Sequence, residues 1–353
     1  MRQNQFNKIK NENDFEYKTV GFPNIGNSCY MNSFLQILLH CPNFLKELKK
    51  RCSYTCKNNW ANNCLIKIII DLSNSEHPFN KKYLYSILNR MKNVSDYEIF
   101  IQNDSQDFGK DLINEIFEDY NKFDFLTQKK TSSLLLRDKN NRFNIINNNN
   151  YYKKQLIYNT FIEKYQKKDN FIEKMFTVNE IETVYKSKRN YDYIINTSFD
   201  IELTFPIGNI IYDYKLNDLF DFKYCINNND FENTKFLKVV ERKVCKLPDI
   251  LIITIIRKLI GKNFFSYKLS IPEEIDLNKY IDKNIIKDTK TKYNLFAINK
   301  KIGKSHLNGH YFCDIKIKDQ WFEFDDEYVS KFIFNPNKSS TSVIGLFYIK
   351  NNK

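Results

Sequence analysis

The apolar residues of this chain change their period once, and that change limits the folds open to it. Up to about residue 120 they recur at helical spacing. Met31, Phe34, Leu35, Leu38 and Leu39 fall at i, i+3, i+4, i+7 and i+8, one face of a helix that opens at Cys29 and that Pro42 stops. Leu112, Ile113, Ile116, Phe117 and Tyr120 predict a second helix beginning near Asp104, and 65–91 reads as helical with a break around Pro78. After residue 170 the signal is that of strands. LIITII (251–256) is a short β-branched run, and YNLFAI (293–298), HYFCDIKI (310–317) and VIGLFYI (343–349) resemble it. In 310–317 the period is two, with Tyr311, Cys313, Ile315 and Ile317 on one face. Helices first and strands later predict an α+β fold with an antiparallel sheet. Between the two regimes, 121–170 is less regular. RDKNNRFNIINNNN (137–150) reads as an exposed or disordered loop and 155–165 as a short helix.

Of the 353 residues 42% are hydrophobic, enough for a sizeable core. Residues 1–19 read as a loose polar tail. The opening residues hold no apolar segment fit for a signal peptide, and the longest aliphatic run, 250–256, is far short of the ~18 residues of a membrane span. The eight cysteines form no regular framework. The expectation is a reduced, soluble protein of the cytoplasm and/or nucleus. The net charge of +13 comes from lysines scattered along the chain, which reads as a solvated basic surface with neither nucleic acid nor membrane as partner.

The chemistry gathers around Cys29. It follows the tight turn Asn24-Ile25-Gly26-Asn27-Ser28 and opens a helix, whose N-terminal partial charge and free N–H groups favour a thiolate. Taken alone, a cysteine is more often a small buried hydrophobe. A nucleophilic cysteine needs a base. Of the four histidines (40, 77, 306 and 310), His310 follows a glycine and opens a strand. A hairpin pairing 310–317 with 320–325 would set Asp325 beside His310 as its orienting acceptor, although Asp325 and Asp326 also suit an ordinary turn.

Here the chain resembles the ubiquitin-specific proteases over nearly its whole length. GFPNIGNSCYMNSFLQIL (21–38) looks like the cysteine box of that family, and SHLNGHYFCDIK (305–316) with WFEFDDEYV (321–329) like its histidine box. QNDSQDFGKDLINEI (102–116), LPDILIITIIRK (247–258), KLSIPEEIDLNKYI (268–281) and VIGLFYIK (343–350) resemble further family segments, in the family's order. The resemblance implies a papain-like cysteine protease fold shaped as a hand, filling 20–353. The thumb would be helical (about 20–130), followed by an insertion (about 131–168), β fingers (about 170–246) and an antiparallel β palm (about 247–353). It implies cleavage after the C-terminal glycine of ubiquitin, mainly at isopeptide bonds to lysine, by a monomer acting on ubiquitin and ubiquitinated proteins without a cofactor. By match of position Cys29 is the nucleophile, His310 the base, Asp325 its orienter, Asn24 an oxyanion donor and Asp326 a supporting residue. Asp104, Asp107, Gly309 and Tyr311 fall where the substrate tail binds. The catalytic residues alone leave open a protease for another ubiquitin-like modifier, and a non-catalytic ubiquitin-binding scaffold is the further alternative.

Three departures from the family stand out. Many relatives hold zinc in the fingers on paired cysteines, but 175–188 and 222–236 contain only Cys225, so no such site is expected there and no metal is assigned. Cys52, Cys56 and Cys64 read as free thiols, with metal ligation the lesser alternative. The family often carries a histidine in the stretch that is KKIGKS (300–305) here, and Gln106 replaces another at the start of the second helix.

Overall fold

The structure, a computed structural model, describes residues 19–41, 43–52, 64–74, 81–127, 142–145, 171–187, 190–196, 202–207, 213–224, 239–257, 268–283, 286, 290–303, 308–336 and 340–351. The predicted helices form as α1 (Cys29–Leu39), α3 (Leu65–Asn74), α4 (Lys81–Met91) and α5 (Ser105–Thr127), with α2 (Phe44–Cys52) after α1. Helix α5 runs further than expected, into the stretch read as irregular.

Helix α1 is buried on every side, its polar residues Asn32, Ser33 and Gln36 included. The apolar stripe in the sequence marks only part of what is covered, because α1 lies between α5 and the strands that carry the site. Two of its polar side chains bond inside the protein: Gln36 donates to the Val20 carbonyl at 2.8 Å and Ser33 to that of Tyr30 at 3.1 Å.

The larger sheet has eight strands in the order β13-β12-β11-β10-β14-β7-β4, with β9 also on β10. These are β4 (Glu202–Ile207), β7 (Ile250–Arg257), β9 (Glu274–Asp276), β10 (Lys292–Ile302), β11 (His310–Ile317), β12 (Gln320–Asp325), β13 (Tyr328–Phe332) and β14 (Val343–Lys350). The expectation of an antiparallel sheet is corrected at one edge, where β4 runs parallel to β7. The period-two pattern places Tyr311, Cys313 and Ile315 of β11 in the core beneath the helices, together with Phe34, Leu38 and Phe347. A second core forms around the short helix Leu216–Tyr224, with Phe220, Ile253, Tyr293 and Leu346.

A smaller antiparallel sheet has the order β1-β3-β2-β6, from β1 (Arg142–Ile145), β2 (Asn179–Ser187), β3 (Asn190–Asn196) and β6 (Val239–Lys246), and the short strands β5 (Tyr214–Lys215) and β8 (Leu269–Ser270) pair in parallel. Strand β1 corrects the reading of 137–150 as loop: Phe143 and Ile145 alternate there among asparagines and pair with β3. The helix expected at 155–165, the polar tail up to residue 18, and Cys56, Cys225, His77 and His306 lie outside the described residues, as does the side chain of Cys52. Cys64 is buried.

Candidate active site

One wall of the site is the entry to α1. Gly26 and Asn27 are both left-handed (φ +112° and +52°), which swings the chain into the helix. Gly26 also lacks room for a side chain, since an added Cβ would lie 2.7 Å from the Phe100 ring. The turn winds on the Asn24 side chain, whose Oδ1 accepts from the backbone N–H of Gly26 at 3.0 Å and of Ser28 at 3.2 Å. Its amide is thereby turned the other way and donates to Asp326 Oδ2 at 2.9 Å. Cys29 follows as the first residue of α1, only 4% exposed.

The other wall is the β11–β12 hairpin, paired Cys313 to Phe324 and Ile317 to Gln320 around a turn with Lys318 left-handed. This register brings the far ends of the two strands together, and His310 Nε2 donates to Asp325 Oδ1. The other ring nitrogen is left for the Cys29 thiol. Interaction with the Cys29 thiol is the first influence pushing His310 up from 6.5 to about 9, against burial and with added help from Asp325.

Asp326, in the turn after β12, joins the two walls. It is left-handed at φ +48°, its carbonyl accepts from Phe22 N–H at 2.8 Å, and its Oδ1 accepts from Asn32 Nδ2 at 2.8 Å. Gly21 permits the contact, because a Cβ there would lie 2.2 Å from the Asp326 carbonyl oxygen.

The start of α5 closes the cleft. Asp104 caps the helix, its Oδ1 accepting from Gln106 N–H at 2.8 Å and Asp107 N–H at 3.3 Å, while Oδ2 accepts from the Tyr311 hydroxyl at 3.2 Å. Tyr311 is buried; burial pushes its hydroxyl up and Asp104 adds to that. Asp107 is exposed on the first turn, and its carboxyl is pushed up by desolvation first and then by Asp104, Glu202 and Asp111. The Gly309 carbonyl accepts from Gln102 Nε2, and Gly309 N–H donates to Gln102 Oε1 at 3.3 Å. The structure therefore brings Cys29, His310, Asp325, Asn24 and Asp326 together, with Asp104, Asp107, Gly309 and Tyr311 around the start of α5.

Several residues that the sequence did not single out hold this arrangement. Gln102 ties the chain ahead of α5 to the residue before His310, and Asn32 anchors Asp326. Behind them, Asn299 donates to Ser105 at 2.8 Å and to Gln106 at 2.9 Å, and Gln106 donates to Thr254 at 2.8 Å. This buried chain of amides and hydroxyls shows what Gln106 does in place of a histidine. The one signal available was a polar residue inside an apolar strand pattern, as at Asn299. Among the described residues, the side chains of His310, Asp325 and Asp326 are the one group with metal-ligand atoms close together, and each is engaged in the hydrogen bonds just given.

Residues 20–348 match the family model described as ubiquitin carboxyl-terminal hydrolase. The chain is 23% identical to ubiquitin carboxyl-terminal hydrolase 4 of Arabidopsis thaliana, over 88% of this chain and 84% of that protein. It is also 23% identical to ubiquitin carboxyl-terminal hydrolase Usp2 of Drosophila melanogaster, over 96% of this chain but 37% of that longer protein. Among solved structures it resembles the SAGA Ubp8/Sgf11/Sus1/Sgf73 DUB module bound to ubiquitin aldehyde, with a TM-score of 0.67 and 17% identity over 94% of this chain and 70% of that one. The yeast SAGA DUB module gives a TM-score of 0.63 and 18% identity over 94% and 68%.

Proposed function

The chain belongs to the ubiquitin carboxyl-terminal hydrolase family and is a thiol-dependent deubiquitinase, and we propose that Cys29, His310, Asp325 and Asn24 carry its reaction. The observation behind this assignment is the His310 ring, hydrogen-bonded to Asp325 through Nε2, with the Cys29 thiol the largest influence on its charge. Asp325 fixes the tautomer and orientation of the imidazole. His310 takes the thiol proton and holds it as an imidazolium. The Cys29 sulfur attacks the carbonyl carbon of the C-terminal glycine of ubiquitin, and the oxyanion is met by the second N–H of the Asn24 amide and the backbone N–H of Cys29. His310 then protonates the departing lysine amine. A water molecule, deprotonated by His310, hydrolyses the thioester and returns the sulfur. No step calls for a cofactor.

The substrate tail, Leu-Arg-Leu-Arg-Gly-Gly, brings two cations into the cleft. Asp107 is exposed among like charges, so an arginine there relieves repulsion as well as forming an ion pair. The reading is of one chain acting on ubiquitin and ubiquitinated proteins by itself, with isopeptide bonds as the main target.

Cleavage of a ubiquitin C-terminal fluorogenic substrate tests the assignment. Cys29→Ala and His310→Ala should abolish turnover and still bind ubiquitin, while His306→Ala keeps most activity. NMR titration should find His310 charged up to about pH 9, and in Cys29→Ala its titration should fall back toward 6.5, because its largest stabilising partner is gone. Full turnover by Cys29→Ala would refute the mechanism.

A further inference from the structure

Two residues ahead of Gln102 the chain turns through Phe100, which is left-handed at φ +68°. A large side chain rarely takes that conformation, because its Cβ crowds the backbone. Phe100 is nevertheless 75% exposed, with Ile99 (37%) and Ile101 (43%) exposed on either side. Three consecutive large apolar residues therefore meet water at a strained turn. So exposed a ring contributes little to the core, and a strained residue that the core does not need points to a use at the surface.

The turn is fastened to the entry of α1. Phe100 N–H donates to the Gly26 carbonyl at 3.1 Å, and Asn27 Nδ2 donates to the Phe100 carbonyl at 2.7 Å. A Cβ on Gly26 would lie 2.7 Å from the Phe100 ring and 3.2 Å from the Ile99 side chain. Both hydrogen bonds use main-chain groups of residue 100, so they do not explain why the side chain is aromatic. They do fix the patch against the turn that delivers Cys29. From there the segment follows the cleft: Gln102 bonds to Gly309, Asp104 to Tyr311, and Asp107 stands exposed at the mouth.

The bond to be cut joins two proteins. The tail of ubiquitin takes the Asp107 end of this segment, and the protein that owns the lysine is left the end beside the Cys29 turn. We propose that Phe100 and Ile99 form a subsite for that second protein, an apolar patch that docks on the apolar surface around its modified lysine. The inference rests on the reading of Cys29 as nucleophile and of Asp107 as the acceptor of the tail. An exposed aromatic side chain continuous with the reacting centre is suited to such a contact, since it brings large apolar area at little cost in side-chain freedom.

The test compares two substrates that share one kind of bond. One is ubiquitin joined through an isopeptide bond to a single free lysine. The other is the lysine-linked diubiquitin that the wild type cuts fastest. Phe100→Asn keeps a residue that accepts the left-handed turn and should melt at the wild-type temperature or higher. Its kcat/KM on diubiquitin, relative to that on the lysine conjugate, should fall by about tenfold, mainly through KM. Phe100→Tyr keeps the ring and should hold the wild-type ratio. Ile99→Ser should lower the ratio by less, and it decides the matter if Phe100→Asn does not fold. A wild-type ratio in both Phe100→Asn and Ile99→Ser would overturn the proposal. So would an equal loss on both substrates, which would give the patch to the ubiquitin tail or to the fold. Failure of the underlying reading looks different: a ubiquitin probe with a C-terminal electrophile would leave Cys29 of the wild type unlabelled, or Asp107→Asn would leave KM unchanged on both substrates.

Discussion

At two places on the cleft the chain sets a pair of aspartates close together, and both times the structure separates their tasks. Asp326 follows β12 in a left-handed turn, and its carbonyl and both carboxylate oxygens are held by Phe22, Asn24 and Asn32. Asp104 stands just ahead of α5, and its carbonyl and carboxylate are held by Phe108, Gln106, Asp107 and Tyr311. Asp325 and Asp107 project from regular elements instead. Asp325 reaches the base, and Asp107 stands exposed at the mouth. The Asp104 carboxylate is taken up by N–H groups left open at the start of α5, and that of Asp326 by the side-chain amides of Asn24 and Asn32. Asp325, the last residue of β12, and Asp107, in the first turn of α5, keep lone pairs for a catalytic partner or another molecule. The pairs differ in one respect: Asp326 holds a catalytic amide in place, whereas Asp104 holds a helix.

The β12 pair should give the largest effects. Asp325→Ala removes the orienter of His310, with a loss of roughly 10²-fold or more in kcat and little change in melting temperature. That loss should not add to the loss in His310→Ala, because the two act as a unit. Asp326→Asn keeps a residue that tolerates the left-handed turn but sets an amide N–H₂ against one of two amide donors. It should cost kcat by about 10²-fold if Asn24 is released, and lower the melting temperature as well. Its loss should not add to that of Asn24→Ala. If Asp326→Asn is as stable as wild type, or if Asp325→Ala melts far lower, the division between the two aspartates is wrong.

The legibility of these features in the sequence followed their range. Periodicity is local, so α1, α5 and the strands β7, β10, β11 and β14 could be read directly, as could the hairpin that sets Asp325 on His310. Two things could not. The parallel pairing of β4 with β7 joins residues about fifty apart in sequence, and no local pattern encodes it. Strand β1 is short and set among asparagines that mask its alternation. The site shows the same split. Cys29 and His310 stand out as residue types at element starts, whereas the role of Asn24 is implied only by the family resemblance. The work of Asp326 is visible only once residues 21–32 lie against the turn after β12, and that of Gln102 only once Gly309 lies beside it.

Asp107 comes next. A charge-assisted bond to a tail arginine is worth roughly 1.5–3 kcal/mol, or about tenfold to over a hundredfold in binding. Asp107→Asn should raise KM for ubiquitin substrates by that order with kcat less affected. Ubiquitin with its tail arginines changed to glutamate should be a poor substrate for the wild type and recover in part with Asp107→Arg. Stability moves the other way. The carboxyl is pushed up in the fold, so its ionised form is a burden above its ordinary range, near 3.8, and is relieved as pH falls. At neutral pH Asp107→Asn should therefore melt at the same temperature as wild type or higher. A normal KM with a lower melting temperature would make Asp107 structural.

The smallest effect belongs to Asp104, and it separates a cap from a contact. Alanine there leaves the N–H groups of Gln106 and Asp107 without their acceptor and frees the Tyr311 hydroxyl, at a cost of about 1 kcal/mol in stability. Asparagine caps about as well as aspartate and can still accept from one partner. Asp104→Ala should thus melt lower and Asp104→Asn close to wild type, both with KM shifts well below that of Asp107→Asn. An oxygen already taken by two backbone donors, and another taken by a tyrosine, have few lone pairs left for an arginine. Should Asp104→Asn weaken substrate binding as strongly as Asp107→Asn while keeping its stability, the carboxylate would be gripping the tail despite its cap. The contrast between the held and the open aspartate would then survive only at the end of β12.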